Sequence, residues 1–311
     1  MKLPLNLSTL LLAAAVLVTA PVASGEVTFY VSNGPQTINM VSATGAVTSF
    51  EPAPNGSDPH GLAFDGSHNL YVANFATDEI SKITLAGVAT TFATLPAGSK
   101  PYGLAFDGNG NLYAADFVAN QISKITPDGA VSTFATLAGG SSPAGLAFDG
   151  GGNLYVAQQN ADKISKITSG GVVSVFATLP ANSKPNGLAF DGRGNLYVAN
   201  LVANQISKIT PGGAVSTFAI LPANSSPLGL AFDDSGNLYA ACGGTHQISK
   251  VTSSGVVSTF ATGIPSPKFI ATPSAMPKPL PATKSTWLAV TGVVVLLVIG
   301  GGLVMMMRSR K

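Results

Sequence analysis

The pentapeptide Gly-Leu-Ala-Phe-Asp begins at Gly61, Gly103, Gly145, Gly187 and Gly229, and each step is 42 residues. A spacing this constant means that one structural unit is copied along the chain, each copy burying its apolar face against its neighbours. The same period carries Tyr71, Tyr113, Tyr155, Tyr197 and Tyr239, and it carries phenylalanine at 50, 92, 134, 176, 218 and 260. The extra phenylalanine marks residues 27–50 as a partial copy that lacks its Gly-Leu-Ala-Phe-Asp segment, with Phe29 standing where later copies have tyrosine.

Within the copy at 187–221, four short runs (GLAF, NLYVAN, QISKIT and AVSTFAIL) alternate with the turn sequences DGRG, LVAN and PGG. Runs rich in β-branched and aromatic residues, bounded by glycine turns and without a 3.6-residue period, are strands. Four strands per unit make a propeller blade. The missing first strand lies at the far end of the repeats, where Pro267-Lys268-Phe269-Ile270-Ala271 matches Pro227-Leu228-Gly229-Leu230-Ala231. The expectation is an all-β, six-bladed β-propeller over residues 26–273, closed by a blade shared between the two ends of the domain, which leaves no open sheet edge at the join.

The flanks differ in kind. Met1-Lys2, an apolar run from Leu10 to Ala20 and the small residues Ala23, Ser24 and Gly25 read as a signal peptide over 1–25. Residues 274–286, with Pro277, Pro279 and Pro281, read as a stalk that cannot build a core. After Trp287, the 20 uncharged residues Leu288 to Met307 are long enough for a membrane-spanning helix over 287–307, and the basic tail 308–311 assigns the cytoplasmic side. These flanks explain why 46% of the chain is hydrophobic and only 10% charged. Cys242 is the only cysteine, so no intramolecular disulfide supports the fold. Removing Lys2, Arg308, Arg310 and Lys311 from the 16 basic residues leaves 12 against 14 acidic ones, a balance that argues against nucleic acid as a partner. The chain reads as a membrane-anchored monomer with its repeats outside the cytoplasm.

The frame Pro-x-Gly-Leu-Ala-Phe-Asp-Gly-x-Gly-Asn-Leu-Tyr-Val-Ala-Asn, followed by Ile-Ser-Lys-Ile-Thr, resembles the NHL repeat and covers the whole repeat region. It is more distantly similar to the propellers of the gluconolactonase, virginiamycin lyase and peptide-amidating lyase families. These resemblances imply a propeller but leave open whether it binds or catalyses. Leu280-Pro281-Ala282-Thr283-Lys284 resembles the LPxTG sorting signal of wall-anchored bacterial proteins, but Lys284 replaces the glycine, so retention in the membrane is the expectation over sortase processing.

Comparison of the copies separates two faces. On the lower face, Asp65, Asp107, Asp149, Asp191 and Asp233 open near-identical turns, which marks them as structural residues and not calcium ligands. On the upper face, two rings vary from copy to copy. His60, Tyr102, Ala144, Asn186, Leu228 and Lys268 precede or begin the inner strands, and Ser32, Asn74, Asp116, Gln158, Asn200 and Cys242 end the second strands. His60, Tyr102, Asn186, Lys268, Asn74, Asp116, Gln158 and Asn200 are therefore the candidate ligand-binding residues, with drift at solvated positions as the alternative. Phe75, Phe117 and Leu201 either form a partner-binding patch or fold inward over the blade tops. The preferred reading is a binding module for an unidentified protein or small molecule, without cofactor or resident metal. The alternative, implied by the lactonase-type resemblance, is a metal-dependent hydrolase or lyase using calcium or magnesium at Asn74, Asp116, Asn186 and Asn200, although neither ring contains the glutamate of that family's ligand set.

Overall fold

The computed structural model describes residues 27–273, apart from 35, 51–55 and 85, together with 295–299 and 302–306. Six four-stranded antiparallel sheets follow one another. Blades two to six have inner strands Pro59–Phe64, Pro101–Phe106, Pro143–Phe148, Pro185–Phe190 and Pro227–Phe232. Blade one takes its inner strand, Pro267–Ala271, from the end of the repeats and pairs it with Val27–Asn33, which continues to Thr37–Ser42 and Val47–Ser49. Each inner strand packs on the next, and Pro267–Ala271 packs on both Pro227–Phe232 and Pro59–Phe64, so the ring closes.

The tight centre has a sequence cause. A Cβ on Gly103 would lie 2.2 Å from the Ala144 carbonyl oxygen, one on Gly145 2.2 Å from that of Asn186, and one on Gly187 2.2 Å from that of Leu228. Glycine recurs there because neighbouring inner strands meet backbone to backbone. The second strands, such as Leu112–Asp116, are buried throughout, being sandwiched between adjacent blades. The outer strand of each of blades two to six carries a β-bulge opposite the third strand, as between Ile122 and Ser123, where Phe134 is the unpaired residue, whereas Val47–Ser49 of blade one pairs in regular register. The bulge turns Phe134 onto Tyr113 at 4.9 Å, edge to face, and the next blade's Phe148 approaches the same ring at 5.0 Å. This motif recurs around the ring and accounts for the repeated phenylalanine.

The lower-face aspartates behave as the turn chemistry predicts. Asp107 Oδ1 accepts the backbone N–H groups of Asn109 and Asn111, while Oδ2 accepts from Asn111 Nδ2 and the Tyr113 hydroxyl. These bonds consume the lone pairs that a calcium ion would need. The recurring lysines lie over the tyrosine rings, Lys82 at 5.4 Å from Tyr71 and Lys250 at 5.5 Å from Tyr239.

In blade one the 42-residue frame slips by a residue. Tyr30, not Phe29, pairs with Met40 and takes the repeated tyrosine's place, edge-on to Phe50 at 5.1 Å and Phe64 at 5.2 Å. Asn33 rather than Ser32 consequently ends this strand in the ring position, bonded to Asn39. The cause is the hairpin Gly34-Pro35-Gln36, one residue shorter than Phe75-Ala76-Thr77-Asp78 of blade two, and a one-residue slip exchanges the faces of a strand. Phe29 turns toward blade six and packs on Tyr239 at 4.4 Å.

Residues 1–25, 274–286 and 308–311, expected to form a signal peptide, a stalk and a cytoplasmic tail, lie outside the described residues. Within 287–307, the described residues differ from the helix expected there: Val295–Ile299 pairs antiparallel with Gly302–Met306. Valine favours strands, and the adjacent Gly300 and Gly301 weaken a helix. No helix among the described residues is long and apolar enough to cross a membrane.

Candidate functional site at the upper mouth of the ring

The residue ahead of each inner-strand proline has a left-handed backbone: Asp58, Lys100, Ser142, Lys184, Ser226 and Ser266 have φ between 46° and 55°. An upper hairpin residue of the preceding blade holds this corner in most blades. Asp78 accepts the N–H of Lys100 at 2.7 Å, Asn120 that of Ser142 at 2.9 Å, and His246 Nδ1 that of Ser266 at 2.9 Å. His246 is thus a structural acceptor standing where other blades have Asp or Asn. The corner aims the second residue of each inner strand at the axis.

Four of the sequence candidates meet there. His60 and Tyr102 lie with ring centroids 4.4 Å apart, Asn186 Nδ2 donates to the Tyr102 hydroxyl at 3.2 Å, and Lys268 Nζ is 3.0 Å from His60 Nε2. Asp58, which the sequence comparison passed over, pairs with Lys268 and lies 3.3 Å from His60 Nε2. Phe269, also missed, stands where every other blade has glycine, and its ring meets Tyr102 at 5.4 Å. Phe269, Tyr102 and Asn186 come from blades one, three and five, so a chain of side chains from alternate blades closes over the axis.

The charges are arranged unevenly. Hydrogen bonding from His60 and then Lys268 holds the Asp58 carboxyl down to about 2, whereas burial lowers His60 and keeps it neutral at pH 7. Burial raises the Tyr102 phenol. Two buried polar atoms at this mouth lack a hydrogen-bond partner, His60 Nδ1 and Asn186 Oδ1. Unsatisfied buried groups of this kind cost about 1–3 kcal/mol each.

The second ring is built differently. Asn74, Asp116, Gln158 and Asn200 are buried inside their own blades, each bonded to a third-strand serine: Ser81 at 2.7 Å, Ser123 at 2.7 Å, Ser165 at 2.9 Å and Ser207 at 2.8 Å. Cys242 makes the corresponding contact to Ser249 at 3.4 Å. Burial raises the Asp116 carboxyl to about 7. Phe75 and Phe117 turn inward: Phe117 stacks on Tyr102 at 5.0 Å and Phe75 packs on His60 at 4.9 Å. Leu201 is half-buried, and beside these side chains Val118 and Val202 stay 56% and 55% exposed.

A divalent-metal set drawn from Asn74, Asp116, Asn186 and Asn200 does not fit. Each spends one polar atom on a serine or on Tyr102, and the unpartnered oxygens of Asn74, Asp116 and Asn200 fall one to a blade. Among the described residues no group of three or more His, Cys, Asp or Glu side chains comes together. Calcium wants six to eight converging oxygens.

The fold and this mouth define a six-bladed propeller whose axis is capped on one side by an aromatic and polar cluster. Residues 22–277 match the virginiamycin B lyase family, and the chain belongs to that family. Streptogramin B lyase superposes with a TM-score of 0.64 at 23% identity, covering 75% of this chain and 79% of the other. Virginiamycin B lyase from Staphylococcus aureus gives 0.64 at 22% identity, covering 80% and 92%. The nidogen/laminin complex contains a propeller at 0.68 and 21% identity, covering 78% and 97%. At these identities the likeness to solved structures concerns the fold. No curated protein matches the chain.

Proposed function

We propose that this protein is a ligand-binding propeller that captures a small molecule or a protein side chain at the upper mouth, between His60, Tyr102 and Asn186. The observation that carries this reading is the pair of buried, unpartnered atoms His60 Nδ1 and Asn186 Oδ1 on either side of Tyr102, at positions that differ from blade to blade. Phe75 and Phe117 supply an apolar wall and the Asp58–Lys268 pair a charged rim. The NHL-like frame supports a recognition role. Display outside the cytoplasm on a membrane anchor belongs to the same proposal; it rests on the apolar run 10–20 and on the uncharged run 288–307 of the sequence, although the described residues within the latter pair as strands.

A second reading has one observation in its favour. His60 Nδ1 is buried without a partner, while Nε2 lies 3.0 Å from the Lys268 ammonium and 3.3 Å from Asp58; in the tautomer with the proton on Nε2, Nδ1 offers the lone pair of a general base, and in the one where Nε2 accepts from Lys268, Nδ1 is a donor. A related structure is a catalytically inactive virginiamycin B lyase with a histidine replaced by alanine, in complex with quinupristin.

One experiment separates the readings. The full-length chain is titrated with quinupristin and with calcium and magnesium while thermal unfolding is followed, and the quinupristin is recovered for mass analysis. A stabilising shift, lost in His60→Ala and Asn186→Ala, with quinupristin chemically unchanged, supports the binding module. Conversion that disappears in His60→Ala supports the lyase. Identical responses of wild type and both variants to every compound would refute the mouth as the site.

A further inference from the structure

The closing strand Pro267–Ala271 enters the ring through a corner built unlike its neighbours. At the corners of blades three to six the acceptor is a side-chain oxygen: Asp78, Asn120, Asp162 and Asn204 take the N–H groups of Lys100, Ser142, Lys184 and Ser226 at 2.7–2.9 Å. The same four residues offer their backbone carbonyls to the N–H groups of Leu95, Leu137, Leu179 and Leu221 at 2.8–2.9 Å. Ahead of the closing strand the acceptor is a ring nitrogen, His246 Nδ1, and the companion bond from Ile264 to the His246 carbonyl lengthens to 3.3 Å. Ser266, at φ 49°, needs that support, because a left-handed backbone is strained for a residue other than glycine.

The exchange of acceptor changes the proton chemistry. An amide oxygen accepts at every pH and a carboxylate down to about pH 4, whereas an imidazole nitrogen that takes a proton becomes a donor. Protonated at Nδ1, His246 faces the Ser266 N–H donor to donor, and the bond is lost. The same strand meets a second imidazole, for Lys268 Nζ lies 3.0 Å from His60 Nε2 and pairs with Asp58. A proton on His60 sets two cations against the single carboxylate of Asp58, at a ring whose burial already disfavours charge. The other groups around the two rings do not share this titration. Asp58, held down to about 2, stays ionised, and the phenol of Tyr102, which packs on His60, is raised by burial. On the strands packed around His246, Lys250 turns back over Tyr239, Lys268 turns to Asp58, and burial raises the Cys242 thiol.

When the closing strand lifts, both rings lose their bonds to it, and an imidazole in water takes up its proton near pH 6.5. Protons therefore favour the lifted strand. For His60, whose pKa is lowered in the folded state, the contribution to closure is complete above about pH 6.5 and is lost as pH falls below it. We propose that His60 and His246 make the strand Pro267–Ala271 an acid-operated latch, which loosens below neutral pH and draws Lys268 and Phe269 away from the upper mouth. The latch is a property of this seam and holds whether or not a ligand occupies the mouth.

The test is hydrogen–deuterium exchange on the full-length chain at about pH 7.5 and about pH 5, on either side of the imidazole range, with each rate divided by the intrinsic rate at that pH. The strand Leu196–Asn200 of blade five is the internal reference, because Asp116 shifts the stability of the ring in the opposite direction over the same range. The expected result is that protection of Pro267–Ala271 and Val27–Asn33 falls about tenfold at the lower pH relative to that reference, as the loss of a hydrogen bond predicts. His246→Asn installs the acceptor found at 120 and 204 and should reduce the fall; adding His60→Asn, the residue found at 186, should remove it. Thermal unfolding at the higher pH confirms that both variants fold. A closing strand that tracks Leu196–Asn200 at both pH values, or a fall as large in the double variant as in wild type, would overturn the proposal.

Discussion

If the ring is closed by the strand Pro267–Ala271, Ile270→Ala must damage the protein as much as a core truncation inside a complete blade. Ile270 is 6% exposed, pairs with Val31 and packs in one cluster with Phe29, Val41, Ala231 and Tyr239. Its counterpart in blade six, Leu230, is 7% exposed. Truncating either to alanine removes similar buried volume, at a cost of about 2–5 kcal/mol. At about 2–4 °C of Tm per kcal/mol for a domain of this size, each variant should melt roughly 4–20 °C below wild type. Val256→Ala, at a side chain 62% exposed, is the control and should stay within about 2 °C, as surface changes do. The assay is thermal unfolding followed by far-ultraviolet circular dichroism at a fixed scan rate. An Ile270→Ala variant that melts with the control while Leu230→Ala falls would refute closure, because it would show that blade one holds together without the returning strand.

Two further outcomes test the centre of the ring and its buried acid. Gly145→Ala places a Cβ 2.2 Å from the Asn186 carbonyl oxygen and should cost about 1–3 kcal/mol or more by overpacking, whereas Gly192→Ala, with nothing within 4 Å, should be tolerated; the melting temperatures of the pair decide. Asp116 titrates near 7 when folded against 3.8 as a free side chain, so its ionisation opposes folding. Stability should fall as pH rises from about 4 to about 7, by on the order of 4 kcal/mol at most, and level off above. Asp116→Asn, the residue found at 74 and 200, should remove that slope in melting temperature against pH. The lower-face aspartates act in a different window: hydrogen bonding lowers their pKa, so their contribution is lost only as pH falls below about 4.

Blade number and closure were legible because both rest on local chemistry repeated at fixed spacing. Glycine turns, alternating strands and the phenylalanine at 50 that lacks its preceding segment are properties of short windows. The slip at Tyr30 was not legible in the same way. A frame counted back from Phe50 places Phe29 under the tyrosines, and only the pairing of Tyr30 with Met40 shows that the shorter hairpin has moved the strand. The second ring illustrates a different limit. Its variation from Asn74 to Asp116 to Gln158 suggested exposure, yet the side chains turn into their blades, where any small hydrogen-bonding group satisfies the serine opposite. The role of Asp58 was hidden because it faces Lys268, 210 residues away in the chain.

The upper mouth owes its composition to the way the ring closes. Five inner strands keep glycine as their third residue because the neighbouring inner strand's backbone leaves no room for a Cβ, so beyond the residue after the proline they add no side chain at that position. The returning strand is freed from the repeat and carries Lys268 and Phe269 instead. Its Phe269 N–H donates to the Ser32 hydroxyl at 3.0 Å, and that hydroxyl donates to the His60 carbonyl at 2.6 Å, so blade one, the closing strand and the mouth share a single hydrogen-bonded relay. A ligand seated between His60 and Asn186 would therefore hold the closing strand as well as its own contacts, and its affinity adds to the stability of the ring as RT ln(1 + [L]/Kd). Ligand-induced stabilisation should accordingly be shared by the two chain ends: with ligand bound, amide exchange should slow in Val27–Asn33 and Pro267–Ala271 together, while the outer strand Val173–Thr178 of blade four, which touches neither the relay nor the mouth, keeps its own rate.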